Sequence, residues 1–141
     1  MGETQSNLEK LKAAYRAWHD SKGASIETWL ALMAEAVDFR SLAAGMHGVP
    51  WMTNRTSRED VRHYLAGLTA AFAMEHYTVE RFVCQDDHIV MIGSTAWRNK
   101  ATGKRLDTPK VDVWRFANGK AVAFFEYYDT AKLAASAAAG A

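Results

Sequence analysis

The chain has 141 residues, 49% of them hydrophobic and 23% charged, and its 17 basic and 16 acidic side chains leave a formal charge of +1. That size and balance fit one compact domain around one core, and the lack of any long run of like charge excludes the electrostatic footprint of a nucleic-acid binder. No apolar run approaches the roughly 18 residues of a membrane span, the lone Cys84 excludes an internal disulfide, and no leader-like segment opens the sequence, so the expectation is a cytoplasmic chain with no membrane partner.

Leu8, Leu11, Tyr15 and Trp18 recur at helical spacing and predict a first helix ending near Asp20 to Gly23, with Tyr15 facing inward. Ser25 is placed to cap a shorter helix whose buried side is Ile26, Trp29, Leu30 and Met33, followed by a short strand over 37–40. Over 41–56, Gly45, Gly48, Pro50 and Asn54 surround Met46, Trp51 and Met52, the composition of a loop whose apolar groups cover something. Ser57 and Asp60 resemble a capping box for a third helix, striped by Val61, Leu65, Leu68 and Phe72. Strands follow over 76–84, 88–97, 105–116 and 121–129, with Asn118-Gly119 forming a tight type I′ turn before the last. Pro109 cannot donate to a ladder and is expected at an edge position or a bulge. The Ala-rich tail carries few large apolar groups, so residues 134–141, like 1–7, are expected to fray from a single domain over 1–141.

Helices first and antiparallel strands afterwards make the chain α+β, with about three helices on one face of a strongly bent, mostly antiparallel sheet. Period-two alternation puts Asp112, Trp114 and Phe116 on one face, and Val122, Phe124, Glu126 and Tyr128 on one face of the next strand. The opposite face, built from Val111, Val113, Ala121, Ala123, Phe125 and Tyr127, is apolar and uncovered, and is expected to join two copies as a homodimer.

This element order, with the closing segment Val111-Asp112-Val113-Trp114-Arg115-Phe116, Asn118-Gly119-Lys120 and Glu126-Tyr127-Tyr128-Asp129-Thr130, resembles the cone-shaped fold of the nuclear transport factor 2-like superfamily and its SnoaL-like branch. The resemblance covers almost the whole chain and implies a small-molecule pocket, on a scaffold that hosts isomerases, hydrolases, cyclases and non-catalytic proteins. Against ketosteroid isomerases, Tyr15 falls on the oxyanion tyrosine and Asp112 on the oxyanion aspartate, but Ser41 occupies the position of the general base and cannot abstract a carbon-bound proton unaided. Against limonene-type epoxide hydrolases, Gly93 and Thr95 stand at the arginine and first aspartate of the catalytic set, and Glu126 at the second aspartate. Neither reaction is therefore expected in its familiar form.

Taken together, the alternation and the resemblance gather Tyr15, Asp112 and Glu126 as candidate catalytic groups around one cavity. Its lining is expected from Trp18, Phe39, Trp51, Trp114, Phe116, Phe124 and Tyr128. Two carboxyl groups close together in apolar surroundings resist joint ionisation, so one would hold a proton and the other serve as base. The alternative is structural: both acids hydrogen-bonded to tyrosine or tryptophan side chains and fixing the sheet. The five histidines show no metal-ligand spacing, so no metal and no organic cofactor is expected, and Cys84 reads as a small buried hydrophobe. The expected ligand is small, hydrophobic and oxygen-bearing. It is handled by acid-base chemistry in an isomerase, cyclase or hydrolase, or simply held in a binding or dimeric interaction module.

Overall fold

The computed structural model describes residues 2–140; Met1 and Ala141 lie outside the described residues. Helix α1 (Glu3–Asp20) buries Leu11, Ala14, Tyr15 and Trp18 along one stripe, as the spacing predicts. Helix α2 (Ile26–Leu32) passes with no loop into β1 (Met33–Ser41), so Met33 is buried as the first residue of a strand rather than as part of a helix. The same junction recurs where α3 (Arg58–Ala71) runs into β3 (Phe72–Gln85). Phe72 is 2% exposed in extended backbone, so its burial comes from the sheet and not from the helix stripe. A three-residue strand, β2 (Arg55–Ser57), ends the segment read as loop. Strands β4 (His88–Asn99), β5 (Arg105–Ala117) and β6 (Lys120–Tyr128) follow, and α4 (Thr130–Ala137) closes the chain.

The sheet order is β2-β1-β6-β5-β4-β3, with β1 parallel to β6 and every other pair antiparallel. Bulges bend it. Strand β3 carries two, leaving Glu75 and Glu80 without partners, and β6 carries one at Val122. The β6 bulge corrects the alternation: Ala121 lies opposite Phe116 and is fully buried, so neither it nor Val122 keeps the place that a regular strand would give. Pro109 lies inside β5, opposite Ser94, but just beyond the end of β6, whose pairing begins at Lys110 and Tyr128. It thus has a neighbouring strand on one side only. Asn118 and Gly119 have φ of 52° and 76°, the positive pair a type I′ turn requires.

Capping differs in detail from expectation. The Ser57 hydroxyl accepts the Asp60 N–H at 3.1 Å, as predicted, but the Ser25 hydroxyl caps nothing, and Ser21 Oγ instead accepts the N–H groups of Ala24 and Ser25. At the other ends, all four helices present carbonyls to lysines: Lys22 to His19, Lys120 to Ala31, Lys100 to Thr69 and Lys104 to Ala138, at 2.7–2.9 Å. An ammonium there complements the helix dipole. Residues 134–137, expected to fray, complete α4, which Asp129 caps and which buries Leu133 and Ser136. Cys84 is exposed rather than buried. No helix among the described residues is long and apolar enough to cross a membrane.

Candidate functional site

The bent sheet and the helices enclose a cavity of about 80 Å³ whose walls are aromatic and whose polar floor is one connected cluster. Its centre is Lys110 on β5. Lys110 Nζ donates to Asp112 Oδ1 at 2.7 Å and to the Tyr77 hydroxyl at 2.8 Å, and lies 3.0 Å from Glu126 Oε1, so all three ammonium protons are used. Asp112, two residues along the same face, receives two further bonds on Oδ2, from Tyr15 at 2.7 Å and Tyr77 at 2.6 Å. Glu126, directly across the strand pair from Asp112, receives one on Oε2 from Tyr64 of α3 at 2.6 Å. Trp114 Nε1 donates to the Tyr15 hydroxyl at 2.8 Å and completes the set.

Burial fixes the charge states that the cluster presents. Desolvation alone would lower the Lys110 pKa, but the Asp112 and Glu126 carboxylates outweigh it and hold the ammonium above the ordinary lysine range. Burial first, and the neighbouring carboxylate second, push the hydroxyls of Tyr15, Tyr77 and Tyr64 well up, so all three are neutral donors. Tyr128 is raised by the same two causes. Between the two acids lies the ammonium of Lys110, a group the alternation had not drawn in.

The carboxylates are not equivalent. A carboxylate has about four acceptor positions; three donors reach Asp112, which is 1% exposed, and two reach Glu126, which is 8% exposed. Glu126 thus keeps more acceptor capacity toward the cavity. Beside it, the Tyr128 hydroxyl donates to Met52 Sδ at 3.4 Å, a weak acceptor that an oxygen readily displaces. Ser41, at the place where a base was sought, pairs in register with Glu126 on the adjacent parallel strand, and its hydroxyl accepts the Ala43 N–H. The carboxylate nearest to Ser41 in the register thus stands on the adjacent strand.

Of the residues expected to line the cavity, Trp18, Phe39, Trp114, Phe124 and Tyr128 do so. Phe39 and Phe124 stack at 4.6 Å between centroids, and Trp114 stacks on Trp29 at 5.5 Å. Trp51 and Phe116 do not line it. Trp51 lies against Gly67 of α3 and packs edge-on to Tyr64 and Phe72, behind the lining they form. Phe116 sits in the core next to Trp114, past the end of the cavity. His47 is exposed and outside the lining. Lys110, Tyr64 and Tyr77 were missed. For Lys110 the signal was present, since it continues the face of Asp112, Trp114 and Phe116 by one more step of two.

The description of the SnoaL-like domain family matches residues 11–124. Among curated proteins, none matches the sequence. The fold is similar to that of a nuclear transport factor 2-like protein of unknown function from Burkholderia pseudomallei, 22% identical over 95% of this chain and 98% of that one, with a TM-score of 0.80. It is also similar to a protein of ketosteroid isomerase-like fold from Catenulispora acidiphila in complex with trimethylamine, at 18% identity, 92% of each chain and 0.74. A protein from Jannaschia sp. CCS1, assigned as a SnoaL-like polyketide cyclase, gives 13% identity, 97% of this chain, 94% of that one and 0.77. Likenesses this distant in sequence carry the α+β fold, with its curved, open sheet, and leave the chemistry to the side chains.

Proposed function

Given that the chain belongs to the SnoaL-like domain family, whose fold includes isomerases and cyclases, we propose that it is a cofactor-independent enzyme of isomerase, cyclase or hydrolase type. In this reading it acts by general acid-base chemistry on a hydrophobic, oxygen-bearing substrate. The observation that carries the proposal is Glu126: a carboxylate with uncommitted acceptor positions, anchored by Lys110 and Tyr64, facing an apolar cavity. Glu126 takes a proton from the substrate, and the Tyr128 hydroxyl turns from Met52 to donate to the substrate oxygen as charge develops there. Asp112 with Tyr15 and Tyr77 holds Lys110 in place beside Glu126. At about 80 Å³ the cavity takes the reacting end of a ligand only, since whole-ligand pockets run to roughly 300–1,000 Å³.

The test is proton exchange, read by NMR in heavy water, at carbons next to the carbonyl of a panel of ketones, lactones and quinones. Wild type is expected to exchange at least one panel member, and Glu126→Gln to slow that exchange by about 10²-fold or more, the usual worth of a positioned base. Exchange that persists in Glu126→Gln with the fold intact rejects the role. The saturation of the Lys110 donors and the capping of both acids favour a second reading, a ligand-binding module in which the cluster is structural. In that case ligands raise the melting temperature, no exchange occurs, and Asp112→Asn and Glu126→Gln keep the affinity.

The outer sheet face belongs to the same proposal. Val111, Val113 and Phe125 are half-buried there and Tyr127 is 41% exposed, its ring stacked on Phe125 at 4.4 Å. Two copies joining through this face remove that apolar surface from water. Size-exclusion chromatography with light scattering is expected to give a dimer for wild type and a monomer for Val113→Lys/Phe125→Lys; a monomeric wild type removes the pairing. A cytoplasmic setting suits the exposed thiol of Cys84, which a reducing compartment protects.

A further inference from the structure

A groove of about 610 Å³ runs along the outside of the molecule between α1 and β3, within the size range of small-molecule sites, roughly 300–1,000 Å³. Its floor is apolar: Leu8 and Tyr15 come from the helix, and Tyr77, Val79 and Phe82 from the strand, with the Tyr15 and Phe82 rings 5.9 Å apart. Tyr15 and Tyr77 back the groove, almost fully buried, with hydroxyls that reach inward to Asp112.

The rim is charged, and its charges are not spent on one another. Helical spacing brings Lys12, Arg16, His19 and Asp20 to the groove side of α1. Val79 pairs with Gly93 and Arg81 with Ile92, which leaves Glu80 as an extra residue. A regular strand sends consecutive side chains to opposite faces; after this bulge both Arg81 and Phe82 line the groove. Lys12 lies 3.6 Å from Glu9, and His19 accepts the Tyr77 N–H on Nδ1 at 3.1 Å. Among the described residues, Arg16, Asp20, Glu80 and Arg81 enter no ion pair and no side-chain hydrogen bond. The rim thus holds three cations against two acids, with two guanidinium groups uncommitted.

We propose that this groove is a binding site for a small amphipathic anion, an apolar ring or chain bearing a single carboxylate or sulfonate. The apolar body lies on the half-buried Leu8, Val79 and Phe82, and the anionic group meets Arg16 and Arg81. A guanidinium suits both parts, since it pairs with an oxyanion through two parallel donors and stacks on aromatic faces. The site is distinct from the interior cavity and does not depend on the reaction proposed there.

The probe is 8-anilinonaphthalene-1-sulfonate, with neutral N-phenyl-1-naphthylamine as the control that shares its aromatic body. Fluorescence titration of wild type is expected to show one saturable anionic site per chain, weakened by added salt and displaced by naphthalene-2-carboxylate. Arg16→Glu/Arg81→Glu is expected to weaken the sulfonate by about tenfold or more, as loss of charge-assisted bonds implies, and to leave the neutral dye unchanged. Asp20→Asn/Glu80→Gln is expected to tighten it. Two results overturn the proposal: unaltered sulfonate binding in Arg16→Glu/Arg81→Glu at native melting temperature, or loss of binding in Val113→Lys/Phe125→Lys, which would move the dye to the sheet face. Glu126→Gln is expected to bind the sulfonate as wild type does, so this site and the interior chemistry fail separately.

Discussion

Lys110→Met is expected to destabilise the fold by about 3–5 kcal/mol, the cost typical of removing one partner from a buried ion pair. Methionine fills most of the space of the lysine stem, so packing is largely kept. What disappears are the three donors to Asp112, Tyr77 and Glu126, and water has little access to replace them, because Asp112 and Glu126 are 1% and 8% exposed. Two like charges then face each other across a strand pair in an apolar cavity. Urea unfolding checks the loss. The triple variant Lys110→Met/Asp112→Asn/Glu126→Gln is expected to recover more than half of it, since neutral partners remove the uncompensated charge. If it recovers nothing, the lysine acts through packing and the electrostatic account is wrong.

The pH dependence has a definite sign. The folded protein holds the Lys110 ammonium above the ordinary lysine value of 10.5, and a group whose pKa rises on folding stabilises fully below its unfolded value. That contribution is lost only as the pH climbs past 10.5 through the raised folded value. A fall in wild-type stability between neutrality and that point therefore has another source.

The cluster shows which parts of a site a sequence exposes. Tyr15 sits on a clean helical stripe, and Asp112 and Glu126 on strands whose alternation holds through that stretch, so spacing and the family resemblance together gathered them. Lys110 escaped because Pro109, next to it, was expected at an edge position or a bulge, and a bulge there would have reset the alternation that links Lys110 to Asp112. In the fold β5 runs straight through, since only the missing β6 neighbour was needed to accommodate the proline. Tyr77 escaped because it lies between two bulges, and each bulge resets the alternation that would have predicted its face. Tyr64 lies between Val61 and Leu65 on the buried side of α3, but nothing local tells a packing tyrosine from one whose hydroxyl meets an acid 62 positions away. Trp51 shows the reverse error: it was legible as an apolar loop residue, but not as one that packs against Gly67, Tyr64 and Phe72 instead of lining the cavity itself.

Gly93→Ala is expected to cost about 3 kcal/mol or more, at the upper end of what overpacking does. The position has no room for any side chain. A Cβ built at Gly93 overlaps the backbone carbonyl oxygen of Thr78 and meets Met91 Sδ at 3.2 Å. The obstacle is main chain, so no rotamer change relieves it and β3 must lift from β4. Thr78 precedes Val79, the residue that pairs with Gly93, and follows Tyr77, whose hydroxyl bonds to Asp112 at 2.6 Å. Lifting the strand therefore withdraws one of the three donors that hold that carboxylate. The expected signature is a lowered urea midpoint together with a reduced near-ultraviolet aromatic circular dichroism signal, while the far-ultraviolet spectrum stays native. Gly45→Ala separates space from backbone: its Cβ meets nothing and its φ is +82°, so it carries only the left-handed penalty of about 1–2 kcal/mol and leaves the aromatic signal alone. Equal losses in the two variants, or a Gly93→Ala protein with an unchanged aromatic spectrum, would mean that the bend in β3 tolerates displacement. Tyr77 would then hold its place through Lys110 and Asp112 rather than through the close approach of the two strands.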